Sequence, residues 1–184
     1  DDEYLDPVHF VPDSLLGVPG LLNAARAGNV AIANAVGNGV ADDKAIYPYV
    51  PKMIDYYLGE TAILPNVETF DLADPDQRQH VLERLDRMVV KPVDGSGGYG
   101  LVIGNQASEA VLAATAETIL GDPRSWIAQP IVNLSTCPTV VGDGAVEPRH
   151  VDLRPFAVND GDETYVLPGG LTRVALPKGS LVVN

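Results

Sequence analysis

Lys91-Pro92-Val93-Asp94-Gly95-Ser96-Gly97-Gly98-Tyr99-Gly100 is the stretch on which the reading of this chain turns. Four glycines fall within six residues, between the apolar segments Met88-Val89-Val90 and Leu101-Val102-Ile103. Short apolar runs bounded by glycine read as strands, so the loop joins two strands. Without Cβ atoms its backbone can approach a ligand closely and aim several N–H groups at phosphate oxygens. Lys91, ending the incoming strand, would set a cation against the same phosphate. In Walker and Rossmann loops the glycines lead into a helix, and no Gly-Lys-Ser/Thr triplet follows here, so neither motif applies. The competing reading is a tight glycine hairpin with no ligand.

Outward from the loop the pattern is mixed. Asp74-Pro75-Asp76-Gln77 combines an N-cap, a proline at the first helical position and Gln at the capping-box position, predicting a helix to about Arg87. Ser108 caps a second helix over 109–120, closed by Gly121. Leu15, Leu16, Leu21, Leu22 and Ala25 recur at helical spacing within 13–28, interrupted by Gly17, Pro19 and Gly20. Asp42 is placed to cap a helix from Asp43, continuing over 52–58 after Pro51. Val30–Asn34, Val67–Phe70 and Trp126–Gln129 read as strands or extended segments. Segments 150–158, 163–167 and 171–176 read as an antiparallel meander turning at Asn159-Asp160-Gly161 and Pro168-Gly169-Gly170. The fold class expected is α+β, with mixed and antiparallel sheets and flanking helices.

Composition narrows the function. The 184 residues carry 12 basic and 25 acidic side chains, a formal charge of −13, which repels nucleic acid and anionic membranes but not a nucleotide met by a few local cations. No run of 18 apolar residues spans a membrane and no signal peptide opens the chain. The single cysteine, Cys137, forms no internal disulfide and suits a reducing, cytoplasmic setting. The chain starts at Asp1 without Met and stops at Leu181-Val182-Val183-Asn184, mid-strand by its pattern, so a fragment of a longer protein is expected.

At this point the residues resemble a family. Lys-Pro followed by a glycine-rich hairpin is typical of ATP-grasp enzymes. Asp43-Lys44-Ala45-Ile46-Tyr47-Pro48, Leu64-Pro65 and Val90-Lys91-Pro92 with the loop are similar to the circularly permuted ATP-grasp ligases, a group related to glutathionylspermidine synthetase. Segments 16–22, 34–44, 128–130, 134–138, 149–156 and 168–175 extend the resemblance over nearly the whole chain.

The resemblance implies a glutathione-synthetase-like ATP-grasp fold holding ATP between two α+β lobes. Residues 1–87 would form an N-terminal part with the metal-side strand and helices, and 88–184 the glycine-loop lobe and central strands. The activity implied is ligation of a small-molecule carboxylate to an amine through an acyl-phosphate, with ATP and Mg²⁺. By the same resemblance, Lys44, Lys91, Gly95, Ser96, Gly97, Gly98, Tyr99, Gly100 and Gln129 would bind ATP, Gln129 near the adenine. Arg154 and Arg173 would face the phosphate or acyl-phosphate. For the metal, related ligases place an acid two residues before an Asn; Asn34 matches, but Ile32 stands where the acid would be. Asp1 and Asp2 would supply carboxylates, and Asp94 is a further candidate.

Each assignment has a plainer rival. Lys44 could be a solvated lysine of a helix's first turn, and Gln129 could satisfy a strand end. Arg154 could simply pair with Asp152 on one strand face. Asp1 and Asp2 could be flexible terminal residues, and Asp94 a turn former. His9, His80 and His150 lack metal-type spacing and read as structural, as does Cys137; Tyr47, Tyr49, Tyr56 and Tyr57 read as packing residues. At the level of the whole protein, the alternative to a ligase is a non-catalytic nucleotide- or partner-binding module on the same frame. A kinase-like phosphoryl transferase is a third possibility.

Overall fold

A computed structural model describes residues 2–33, 36–94, 97–142 and 144–183, with the side chains of Asp2 and Asn38 left out of account. The chain divides into two compact units, Asp1–Ile131 and Val132–Asn184. The boundary expected at residue 87 instead runs through the first unit, because strands from both sides of it share one sheet.

In the first unit, four helices are α1 (Leu21–Arg26), α2 (Val50–Leu58), α3 (Pro75–Leu82) and α4 (Glu109–Gly121). The strands β1 (Phe70–Asp71), β2 (Met88–Pro92), β3 (Val102–Ile103) and β4 (Trp126–Pro130) form an antiparallel sheet in the order β1-β4-β2-β3. Alternation along β2 decides the layering. Met88 and Val90 point into a core with Leu72, Val81 of α3, Leu85, Ile119 of α4 and Ala128. Val89 and Lys91 therefore face the other side of the sheet, together with Ile127 and Gln129 of β4.

Local signals account for several boundaries. The Asp74 carboxylate accepts from the Asp76 and Gln77 backbone N–H groups, and Ser108 Oγ accepts from Val111 N–H. Gln77 does not close a capping box; its Oε1 accepts from Asp71 N–H at 3.0 Å. α3 stops at Leu82, short of Arg87, and a separate 3₁₀ turn covers Leu85–Arg87. A turn at Gly104–Gln106 packs against it so closely that a Cβ on Gly104 would run into the Leu85 carbonyl oxygen.

Three expectations need correction in this unit. Of the helical pattern in 13–28, only α1 is helix; the glycines and Pro19 leave the rest as turns. Residues 30–33 form no strand and are largely exposed, having no sheet neighbour to pair with. Lys44 lies in a turn, since Pro48 and Pro51 delay α2 until Val50. The N-terminal segment is organised by Asp6, fully buried, which accepts from Val8 and Gly20 N–H at 2.9 Å and Leu22 N–H at 3.0 Å. Burial pushes its carboxyl up, but these donors and nearby His9 outweigh that and hold it below the ordinary range.

The second unit is an antiparallel sheet ordered β5-β6-β7, from β5 (Thr136–Val140), β6 (Val146–Asn159) and β7 (Thr164–Val174). Asn159-Asp160-Gly161 makes the expected turn, with Asn159 Oδ1 accepting from Gly161 N–H at 2.8 Å. Pro168-Gly169-Gly170 does not. It runs inside β7 opposite β6, where a Cβ on Gly170 would lie 2.5 Å from the Arg154 carbonyl oxygen. These glycines permit close approach of two strands instead of reversing the chain.

Candidate functional site

The face of the first sheet away from the core carries the site. The segment 41–50 crosses it, tied down where Lys44 N–H donates to the Val93 carbonyl at 3.0 Å. Asn66 Nδ2 donates to the Tyr47 carbonyl at 3.0 Å, and Val67 N–H to Tyr47 Oη at 3.1 Å. Between segment and sheet lies a cleft of about 310 Å³, lined by Asp42, Asp43, Lys44 and Tyr47 on one side and Lys91, Ile127 and Gln129 on the other.

The two lysines expected at the ATP site, Lys44 and Lys91, thus line one cleft although they stand 47 positions apart in the chain. Lys91 Nζ donates to Gln129 Oε1 at 2.6 Å, a diagonal contact across β2 and β4. Lys44 Nζ donates to the Val93 carbonyl at 3.3 Å, beside the entrance to the glycine loop. Burial pushes the Lys91 ammonium below the ordinary lysine value, and the like charge of Lys44 adds to it. The cleft thus holds two cations, Lys44 and Lys91, together with the side chains of Asp42 and Asp43.

The glycine loop leaves β2 and returns through β3. Gly97, Gly98 and Gly100 all hold positive φ, 63°, 80° and 68°, a backbone that side-chain-bearing residues rarely adopt. Tyr99 between them is 86% exposed. Gly95 and Ser96 lie outside the described residues.

Arg154 and Arg173 belong to the second unit. Arg173 Nε donates to Asp152 Oδ2 at 3.0 Å and Nη2 to the same oxygen at 2.5 Å; Arg154 Nε stands 3.8 Å from it. Hydrogen bonding by Arg173 holds the Asp152 carboxyl below its ordinary range, and Asp152 raises Arg173. Of the metal assignments, Asp1 and Asn34 and the side chain of Asp2 lie outside the described residues. Among the described residues, no three His, Cys, Asp or Glu side chains gather as a metal site. Asp94 is exposed.

The histidines serve local contacts: His9 Nε2 is 3.2 Å from Asn23 Oδ1, His80 Nδ1 is 3.1 Å from Arg84 Nη1, and His150 Nδ1 is 3.0 Å from the Leu134 carbonyl. Tyr47 packs at the cleft, whereas Tyr56 and Tyr57 are exposed. The sequence reading missed Thr69, which holds Gln129 from behind, and Asp6 and Arg149, which are buried and satisfied by neighbours. A lone Thr, Asp or Arg carries no pattern that separates it from a surface residue.

The model of the family described as "Circularly permuted ATP-grasp type 2" matches residues 1–175. The chain belongs to the circularly permuted ATP-grasp family. Its α+β architecture of antiparallel sheets with flanking helices agrees with that membership. An uncharacterised protein of Mycobacterium tuberculosis is 61% identical over all of this chain and 33% of its own length. One from Synechocystis is 58% identical over all of this chain and 38% of its own length. A Frankia alni protein named "Putative glutamate--cysteine ligase 2-3" is 55% identical over 90% of this chain and 19% of its own length. The chain spans about a third of the mycobacterial relative it matches. Among the described residues, no helix of this ATP-grasp chain is long and apolar enough to cross a membrane.

Proposed function

We propose that the protein containing this chain is an ATP-dependent carboxylate–amine ligase. The observation that carries the reading is the cleft holding Lys44 and Lys91 beside the glycine loop. Family membership supports use of ATP, and the name of the Frankia relative supports C–N bond formation. In the reaction proposed, a substrate carboxylate oxygen attacks the γ-phosphorus of ATP and ADP departs. An amine then attacks the acyl carbon, giving an amide, and phosphate leaves. A synthesis of the glutathionylspermidine type is the finer form of this proposal. Localisation in the cytoplasm and small-molecule substrates belong to the same reading.

The chain's own residues would bind and orient. Lys44 and Lys91 would offset phosphate charge, backbone N–H groups of the Gly95–Gly100 loop would donate to it, and Gln129 lines the pocket beside Lys91. Arg154 and Arg173 would meet the acyl-phosphate. Mg²⁺, when bound, would offset phosphate charge. Asp1, Asp2 and Asn34 are its proposed holders, by the family resemblance.

Ile32, where related ligases carry an acid, favours a second reading: a binding module without turnover. The full-length parent protein separates them. Incubated with Mg-ATP, an amino-acid mixture and hydroxylamine, a ligase releases ADP and yields a hydroxamate. ATP binding without ADP release over that mixture would favour a nucleotide-binding module, and no ATP binding would sink the ligase and leave only a partner-binding module.

A further inference from the structure

Behind Lys91 runs a hydrogen-bonded chain whose direction is forced at both ends. The Val67 carbonyl can only accept, so the Thr69 hydroxyl donates to it, at 2.9 Å. The Thr69 oxygen is left as an acceptor, and Gln129 Nε2 donates to it at 2.8 Å. The Gln129 amide therefore turns Oε1 toward Lys91, whose Nζ can only donate, at 2.6 Å. The two ends of a glutamine amide are nearly alike in shape; the ammonium draws the oxygen end, and Thr69, accepting from Nε2, holds the amide from the other side, so without Thr69 only one of the two holds remains.

We infer that Thr69 is a positioning residue for the phosphate site: its hydroxyl locks the Gln129 amide so that an oxygen, not an NH₂ group, meets Lys91 and holds the ammonium charged and aimed into the cleft. The inference rests on the reading of this cleft as the ATP site. Lys91 is already disfavoured as a cation by burial and by Lys44. The titratable side chains lining the cleft with it are Asp42, Asp43, Lys44 and Tyr47. A flipped amide would present its positive end to the ammonium and add a further unfavourable interaction. Thr69 is half-buried in the segment before β1, and Thr69→Val deletes the hydroxyl while keeping the β-branched shape.

The test is pH-dependent acetylation of the nucleotide-free, full-length parent protein by an N-hydroxysuccinimide ester. Mass spectrometry reads Lys91, normalised to the exposed Lys52 of the same molecule. Thr69→Val should label Lys91 about 3- to 10-fold faster at neutral pH, because a larger share of its amine is then uncharged. Thr69→Ser should behave as wild type. Gln129→Glu, with an acceptor at both oxygens, should label more slowly than wild type and be unmoved by adding Thr69→Val. Simple loosening of the fold would instead speed labelling in both backgrounds. Three results would each overturn the inference: no change in Thr69→Val, equal acceleration in Thr69→Ser, or acceleration by Thr69→Val in the Gln129→Glu background. Protection of Lys91 by Mg-ATP is read separately, and its absence counts against the nucleotide site and not against the locked amide.

Discussion

Lys91 and Arg173 are both cations on strands of antiparallel sheets, yet they are held in opposite ways. Lys91 meets a neutral amide oxygen, with a second lysine sharing its cleft. Arg173 is met by the carboxylate of Asp152, which also stands near Arg154. A neutral acceptor orients a cation without cancelling it, so the charge stays available to an incoming anion. A carboxylate cancels much of it. The first arrangement suits a ligand's phosphates; the second stabilises a hairpin unless a ligand competes for the arginine.

The largest test of that contrast is ligand binding. Lys91→Met should weaken Mg-ATP binding by the full-length parent about 10- to 100-fold, the loss of a charge-assisted hydrogen bond. Arg173→Met should change that affinity little while lowering amide formation, because its proposed role follows nucleotide binding. Calorimetry on both variants decides it; equal losses of affinity would erase the distinction.

Backbone packing comes next. Gly104→Ala forces a Cβ against the Leu85 carbonyl within the first unit and should cost about 1–3 kcal/mol in urea unfolding, as overpacking does. Gly170→Ala meets the Arg154 carbonyl in an exposed sheet, where strands can part more easily, so its cost should be smaller. The reverse ranking would show the second unit to be the stiffer one.

The two regions should also differ in pH response. The Asp152 carboxyl is lowered from 3.8, so its stabilising effect is present above that value and lost as pH falls through the folded pKa. Lys91 is lowered from 10.5, so the penalty on its charged form is relieved only as pH rises through its folded pKa toward that value. Protection of the β6 and β7 amides from hydrogen exchange should therefore weaken in acid, and Asp152→Asn should remove that acid dependence. The smallest effect expected is Ser108→Ala, about 0.5–1 kcal/mol of lost helix capping, read from the same urea curves.

What was legible in the sequence was local. Asp74-Pro75 and Ser108 start their helices because the capping groups bond within three residues. Met88–Pro92 and Trp126–Pro130 were readable as strands because short apolar runs have few other uses. Val30–Asn34 looked the same, but no strand pairs with the described part of that segment, and without a neighbour an apolar run has no ladder to join. Pro168-Gly169-Gly170 looked like a turn, yet β6 continues alongside it. Propensity specifies which conformations glycine allows, not which one the neighbouring strand will select.

The feature that started the reading divides along the same line. The sequence alone determined a glycine loop between two strands with a lysine at its mouth, since each part depends only on residues next to one another. Tertiary structure decided that Lys44 reaches that mouth, that Gln129 and Thr69 orient Lys91 from behind, and that Arg173 is paired with Asp152. Those contacts join residues 21 to 60 positions apart, and their geometry exists only after β2 and β4, or β6 and β7, have been set in register.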